Sequence, residues 1–505
     1  MAPGRSNLSP DGLVVGLDCS TTGTKAIAFD ASGSIAAEAH EALALSTPRP
    51  GWFEQDSADW WDTARKALRA VTRQVDPLRI CALAIANQRE TFVPLARSGK
   101  PLRPAILWLD ERCRDEVASF ASTIGLKRLH RITGKPVDYA PVVYRLAWMK
   151  KHESALYRRV GAICDVHAYL TLKTTGFLRT SWASADPFGI FDLRRKRWSP
   201  VILGALGLDA QVLPEIYSPG TVLGTLTQSA SAATGLTTST LVVAGGGDGQ
   251  CAGLGAGILS SRRAYLNLGT AAVAGVYNRK FRTSRAFRTM SGWTVDGYYY
   301  ECSLRAGTLA LDWFIDNLLR TGRSDRSGVY SALEKEALHV PVGSAGVMFL
   351  PYLCGAMNPH WDSAARGAFV GLSSSHGRGH MYRAILEGIA FEQAVAIDAV
   401  EKAAGIRVGE FVAIGGGAAS TMWRSIIASV TGRPLRVLKS TQASALGAAM
   451  AAAVGAGWYG TFEEAASGMT SIRGRTLPDP EARTVYTRMM VRYQRLYPAL
   501  RTLSN

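Results

Sequence analysis

The stretch Leu13-Val-Val-Gly-Leu-Asp-Cys-Ser-Thr-Thr-Gly-Thr-Lys-Ala-Ile-Ala-Phe-Asp30 decides how the chain is read. Two apolar runs, Leu13–Leu17 and Thr24–Asp30, flank the small polar segment Cys19–Gly23, which predicts strand, turn, strand. A further turn follows at Asp30-Ala-Ser-Gly33. Trp60, Trp61, Ala64, Ala67, Leu68 and Val71 then recur at helical spacing, and Ile80–Ala86 reads as a buried strand. The same opening returns in mid-chain, where Ala264–Leu268 and Ala272–Tyr277 flank Gly269-Thr270-Ala271. Two such units predict a duplicated α/β architecture in which each half begins alike. The division is expected near residue 257, giving units 1–257 and 258–505.

At 505 residues the chain exceeds what one compact core holds. Its 47% hydrophobic and 19% charged residues exclude a disordered class. The first ten residues, MAPGRSNLSP, lack the apolar core of a signal peptide. The Ala- and Gly-rich tract Ala445–Trp458 is too short to cross a bilayer and reads as a packed helix. The seven cysteines are scattered and never form C-x-x-C, which points to reduced thiols in the cytoplasm. No histidine pair has metal-ligand spacing. The net charge of +17 raises nucleic acid as a partner. The arginines are spread along the chain, however, and their one dense cluster, Arg194-Arg-Lys-Arg197, comes with no recognition motif. Neither nucleic acid nor membrane is expected as a partner.

Four segments carry candidate chemistry. In Asp18-Cys-Ser-Thr-Thr-Gly-Thr-Lys25, small hydroxyl residues in a turn expose N–H groups and Oγ atoms to a phosphate. Lys25 adds charge, and Asp18 suits Mg²⁺ held through water; the other reading is an ordinary polar hairpin. The Leu268-Gly269-Thr270 turn would face it and complete a clamp on a triphosphate. In Leu241-Val-Val-Ala-Gly-Gly-Gly-Asp248-Gly-Gln250 a strand ends in glycines and presents one carboxylate, as phosphoryl transfer to a hydroxyl requires of a base. A dinucleotide fingerprint also fits Gly247-Asp-Gly249-Gln-Cys-Ala252, but no acid follows before Val295 to hold a ribose. Ala86-Asn-Gln-Arg89-Glu90 and Ile106-Leu-Trp108-Leu-Asp-Glu-Arg112 place polar and aromatic groups just past apolar strands, which suits a polyol. Finally, Val412-Ala-Ile-Gly-Gly-Gly-Ala-Ala-Ser420 is a glycine turn that lets backbone approach a planar base.

Together these segments resemble the FGGY family of carbohydrate kinases, the glycerol kinase and xylulokinase group, from residue 13 to about 495. The most specific match is Gly367-Ala-Phe-Val-Gly-Leu372 followed by His380-Met-Tyr-Arg-Ala-Ile-Leu-Glu387. Pro50-Gly-Trp-Phe-Glu-Gln-Asp56, Phe349-Leu-Pro-Tyr352, Pro359-His360 and Arg145-Leu-Ala-Trp148 support it. The resemblance implies two duplicated actin-like (ribonuclease H-like) ATPase domains with the active site in the cleft between them. It implies ATP and Mg²⁺ as cofactors and a small sugar or polyol as acceptor: a tetritol, a tetrulose or a pentulose such as xylulose. By position, Asp248 is the base, and Asp18 and Asp248 are the metal-side carboxylates. Thr21, Thr22, Lys25, Gly269 and Thr270 surround the phosphates. Gly416, Gly417 and Thr421 line the adenosine site, with Gly307 nearby. Arg89, Glu90, Trp108, Asp248 and Gln250 face the acceptor. Where glycerol kinases carry a substrate tyrosine this chain has Ala140, and Asn87-Gln-Arg-Glu90 stands where xylulokinases have Gln-Met-His. Glycerol kinase is the alternative within the family; an actin-like ATPase without a sugar acceptor is the alternative outside it. A homodimer is compatible with the resemblance.

Overall fold

A computed structural model describes residues 11–320 and 326–502; the ten N-terminal residues read above lie outside them. The opening hairpin is β1 (Leu13–Cys19) and β2 (Gly23–Phe29). The turn is shorter than the sequence suggests, because Cys19 and Gly23 join the strands and leave Ser20–Thr22 at the tip. Ser20 closes it, with N–H and Oγ both donating to the Gly23 carbonyl at 2.9 and 2.8 Å.

The first sheet adds β3 (Ile35–Ala42), β4 (Ile80–Asn87), β5 (Val222–Thr225) and β6 (Leu241–Gly247). Its order is β5-β6-β4-β1-β2-β3, with β1, β4 and β6 parallel. The central strands are buried on both faces, so they read as continuous apolar runs. The amphipathic helix α1 (Ser57–Thr72) covers one face with Trp60, Ala64, Ala67, Leu68 and Val71, and Asp56 caps it by accepting from Ala58 N–H.

The second sheet repeats this plan. Its strands are β7 (Arg263–Leu268), β8 (Ala272–Asn278), β9 (Arg288–Ser291), β10 (Tyr298–Leu304), β11 (Glu410–Ile414), β12 (Leu435–Leu438) and β13 (Ile472–Thr476). Their order is β9-β10-β8-β7-β11-β12-β13. Strand for strand, the meander β7-β8-β10 matches β1-β2-β3, and parallel β11 and β12 match β4 and β6. Antiparallel β13 matches β5, and β9 is the addition. The duplication read from two hairpins therefore extends through whole sheets.

Two helices join the halves. Helix α2 (Asp248–Gly255) leaves β6. Helix α5 (Ala443–Gly455) lies against it and against β1; it follows α3 (Arg378–Ala404) and α4 (Thr421–Thr431) of the second half. Small residues make this approach possible: a Cβ on Gly447 would lie 1.9 Å from the Cys251 carbonyl oxygen. One buried cluster runs through the junction and takes in Val14 and Phe29, Leu254, Tyr265, Tyr299 and the alanines of α5. The site described next sits at the strand ends beside this junction.

Candidate active site

Asp248 is the first residue of α2, delivered by the glycine end of β6. Its carboxylate is 43% exposed, and Oδ1 accepts from Gly249 N–H at 2.7 Å. Arg89, just past β4, lays its stem across the glycine run. A Cβ on Gly247 would lie 2.5 Å from Arg89 Cγ, and one on Gly249 would lie 2.9 Å from its Cζ. These glycines therefore admit an arginine, in the space a pyrophosphate would need in the dinucleotide reading. Arg89 Nε lies 3.1 Å from Asp248 Oδ1. Desolvation in the cleft raises the Asp248 pKa, and Arg89 opposes it.

Asp18 lies near the end of β1, directly across the ladder from Lys25. Both belong to strands rather than to the turn, so their side chains are aimed by the pleat. Asp18 Oδ1 is buried with no hydrogen-bond partner. Burial, then the neighbouring Asp248 charge, push the Asp18 carboxyl up to about 7, with Lys25 pulling it down. Lys25 Nζ donates to Gln442 Oε1 at 3.0 Å, which links the first hairpin to the start of α5.

Thr21, at the tip, accepts from the Trp108 indole at 2.9 Å and donates to Gln88 Oε1 at 3.1 Å. Thr22 is exposed beside it. Across the cleft, Thr270 is exposed at the tip of the β7–β8 hairpin, and the Gly269 and Thr270 carbonyls accept from Thr308 and Gly307 N–H at 2.8 Å. Gly416 and Gly417 form the turn after β11, whose strand lies parallel to β7, and Thr421 opens α4 at the surface with Oγ1 accepting from Arg424. The predicted phosphate hairpin and the predicted adenosine turn thus lie at the same ends of two adjacent central strands of the second sheet.

On the acceptor side, Glu90 is buried with φ of 52°, its backbone carbonyl accepting from Arg145 Nη2 at 2.6 Å. Gln250 is buried too; its amide donates to the Ala183 carbonyl at 3.0 Å, and its Oε1 faces Arg89 Nη1 at 3.5 Å. Gln250 therefore supports Arg89, while Trp108, at 37% exposure, keeps a free face.

Residues 13–255 match the FGGY family of carbohydrate kinases, N-terminal domain, and residues 264–456 match its C-terminal domain. The chain belongs to the FGGY family of carbohydrate kinases. It is 30% identical to a protein named xylulose kinase from Bacillus subtilis, over 97% of this chain and 98% of the relative. It is also 30% identical to a glycerol kinase of Gloeobacter violaceus, over 90% of each. The crystal structure of xylulose kinase from Rhodospirillum rubrum superposes with a TM-score of 0.88 at 29% identity, covering 97% of this chain and 99% of that one.

Two residues of the kinase that the sequence reading did not single out contact these candidate side chains. Glu301 of β10 pairs with Arg89 through two contacts, Nη1 to Oε2 at 2.8 Å and Nη2 to Oε1 at 3.2 Å. It also accepts from Tyr265 OH at 3.0 Å and from Arg288, the first residue of β9. Arg288 reaches Glu90 Oε1 at 3.1 Å. Burial pushes Glu301 up, but the two guanidiniums outweigh it and hold its pKa at about 2. The available signal was a lone carboxylate in the aromatic run Tyr298-Tyr-Tyr-Glu301.

Proposed function

We propose that this carbohydrate kinase transfers the γ-phosphoryl of ATP to a hydroxyl of a pentulose such as xylulose. The observation that carries the acceptor class is the full-length similarity to proteins named xylulose kinase. Asp248 acts as general base: its carboxylate accepts the proton of the attacking hydroxyl as the new O–P bond forms and the γ-phosphorus bond to the bridging oxygen breaks, releasing ADP, while Arg89 lies against the carboxylate on one side. Trp108 gives the carbon chain a flat wall, and Arg89, Glu90 and Gln250 form the polar floor. Thr21, Thr22, Lys25, Gly269 and Thr270 line the phosphates from the two halves. Gly307, Gly416, Gly417 and Thr421 border the adenosine. The proposed division of labour follows units 1–257 and 258–505.

Mg²⁺ fits beside Asp18, whose buried Oδ1 lacks any other partner, with Asp248 next to it. The described residues hold no group of three or more ligating side chains, so the protein's share would be one or two carboxylates, with phosphate oxygens and water completing the shell. Bound there, Mg²⁺ supplies the charge that neutralises the β- and γ-phosphates. The cysteines of the described chain are all unpaired, in keeping with a cytoplasmic enzyme, and a homodimer is compatible with the reading.

Glycerol is the second acceptor supported by a specific observation, because Asn87-Gln-Arg-Glu90 takes the place of the xylulokinase Gln-Met-His segment. ADP release measured over glycerol, tetritols, tetruloses, pentitols, pentuloses and hexuloses tests both. A pentulose should give the highest kcat/KM; a maximum on glycerol would overturn the proposal.

A further inference from the structure

The acceptor-side residues proposed above all come from the first half of the chain, yet two residues of the second half stand among them. Arg288 and Glu301 are register partners on β9 and β10, so the sheet itself sets their spacing. Glu301 is 1% exposed, and both arginine side chains it touches are only 10% exposed. The contacts form one line of alternating charge: Glu90, Arg288, Glu301, Arg89, Asp248. Its ends and Arg89 belong to the first half, and its middle belongs to the second.

This line constrains Arg89. A guanidinium is a rigid planar fork, and the two-point pairing with Glu301 fixes its plane. The remaining edge, Nε, is the one beside Asp248. Turning Arg89 toward an acceptor would leave Glu301 inside a buried strand with Arg288 and a tyrosine hydroxyl, a costly arrangement for a carboxylate. Arg89 is thereby held in place between Glu301 and Asp248 while it lines the acceptor floor. The line also sets the sign of the pocket. Within the line three carboxylates face two guanidiniums, so neither guanidinium is left without a carboxylate partner to meet an anionic acceptor.

We infer that Glu301 is a positioning and specificity residue of the kinase: through Arg89 it orients Asp248, and through Arg288 it fixes Glu90, reserving the pocket for neutral polyhydroxy acceptors over sugar acids. This rests on the assignment of Asp248 as base. It also means that the acceptor pocket is complete only when the second sheet is seated on the first.

The test compares the wild-type chain with Glu301→Gln, which keeps the shape and removes the charge. Pentulose kcat/KM should fall at least thirtyfold while the KM for ATP stays within about twofold. Gluconate, used as a competitive inhibitor against the pentulose, should bind at least tenfold tighter, because a guanidinium is released to meet it. Arg288→Lys provides a second variant should Glu301→Gln not fold. It keeps the charge but not the fork, and should raise the pentulose KM about tenfold without changing that for ATP. Loss of thermal stability with unchanged acceptor kinetics and unchanged gluconate inhibition would overturn the inference. So would equal losses toward ATP and acceptor. If the wild-type chain releases no ADP with any acceptor, the reading of Asp248 fails first and takes this inference with it. An active wild type with an unaffected Glu301→Gln rejects Glu301 alone.

Discussion

The Trp108 indole N–H donates to Thr21 Oγ1 across 2.9 Å, so the proposed acceptor wall and phosphate turn share a hydrogen bond. Thr21 in turn donates to Gln88, whose amide donates to Gln55 Oε1 at 3.0 Å, and Gln55 Nε2 returns to the Thr21 carbonyl at 2.7 Å. The hairpin tip is thus braced by side chains from three segments. Trp108→Phe keeps the wall and deletes the donor. One hydrogen bond of about 1 kcal/mol corresponds to roughly fivefold in rate. kcat should fall by about that factor, and Trp108→Ala should additionally raise the acceptor KM. Steady-state kinetics of both variants check this; equal effects from the two would mean that the wall does not matter.

Asp248→Asn retains the shape beside Arg89 and removes the proton acceptor. Turnover should drop by about 10²- to 10⁴-fold, the range a positioned base contributes. ATP affinity, read by calorimetry, should stay within about threefold. A variant that turns over at the parent rate would remove Asp248 from the chemistry.

The junction helices make a mechanical prediction. A Cβ on Gly447 meets the Cys251 carbonyl at 1.9 Å, and backbone cannot swing aside as a side chain can. Gly447→Ala should destabilise by about 1–3 kcal/mol or more through overpacking. A thermal melt with an unchanged midpoint would show that α2 and α5 separate at no cost.

How much of this was legible in the sequence depends on what each residue does. The duplicated hairpins were legible because buried central strands force continuous apolar runs, and the family was legible because its signature is a brace. Glu387, at the end of that signature, accepts from Gly343 N–H, Ser344 Oγ, Arg383 and Tyr486, all inside the second half. The Glu301 line was not legible. Arg89 and Glu301 are separated by 212 positions, and only the docking of two sheets makes them neighbours. Gln250 was placed by adjacency to Asp248, but the sequence could not show that its amide donates to the Ala183 carbonyl and its oxygen faces Arg89.

Glu392 of α3 predicts a pH dependence of stability away from the site. Burial pushes its carboxyl from 4.5 up to about 7, although Tyr493 and Tyr352 hydroxyls donate to it at 2.8 and 2.9 Å. Because the folded value lies above the unfolded one, the protonated group's contribution is complete below about pH 4.5 and is lost as pH rises through 7. A shift of this size is worth at most about 3 kcal/mol. Glu392→Gln stays neutral throughout, so its melting temperature relative to the parent should improve from pH 5 to pH 8. A difference that stays constant across that range would show that Glu392 titrates normally.

Acceptor length turns on residues 139 and 140. The family resemblance implies that Ala140 stands where glycerol kinases carry a substrate tyrosine, and the adjacent Tyr139 is the ring that a one-residue shift would bring there. The structure gives Tyr139 other partners. Its ring packs under the guanidiniums of Arg305 and Arg114, at 4.6 and 4.9 Å, and its hydroxyl faces Glu111 Oε1 at 3.3 Å. Arg305 is itself anchored to Asp138 at 3.1 Å, which ties this loop to the second half. Moving the ring toward Asp248 would break all of these contacts. If Ala140 borders the acceptor as the resemblance implies, the space of the missing tyrosine stays open, and a chain of four or five carbons would regain contacts that glycerol leaves unmade. At saturating ATP, kcat/KM for a pentulose should exceed that for glycerol by at least tenfold, a gap of about 1.4 kcal/mol. Ala140→Tyr should narrow it from both sides, weakening the pentulose and improving glycerol. If glycerol already leads by tenfold in the parent chain, the space beside Ala140 is filled and the longer acceptor is excluded.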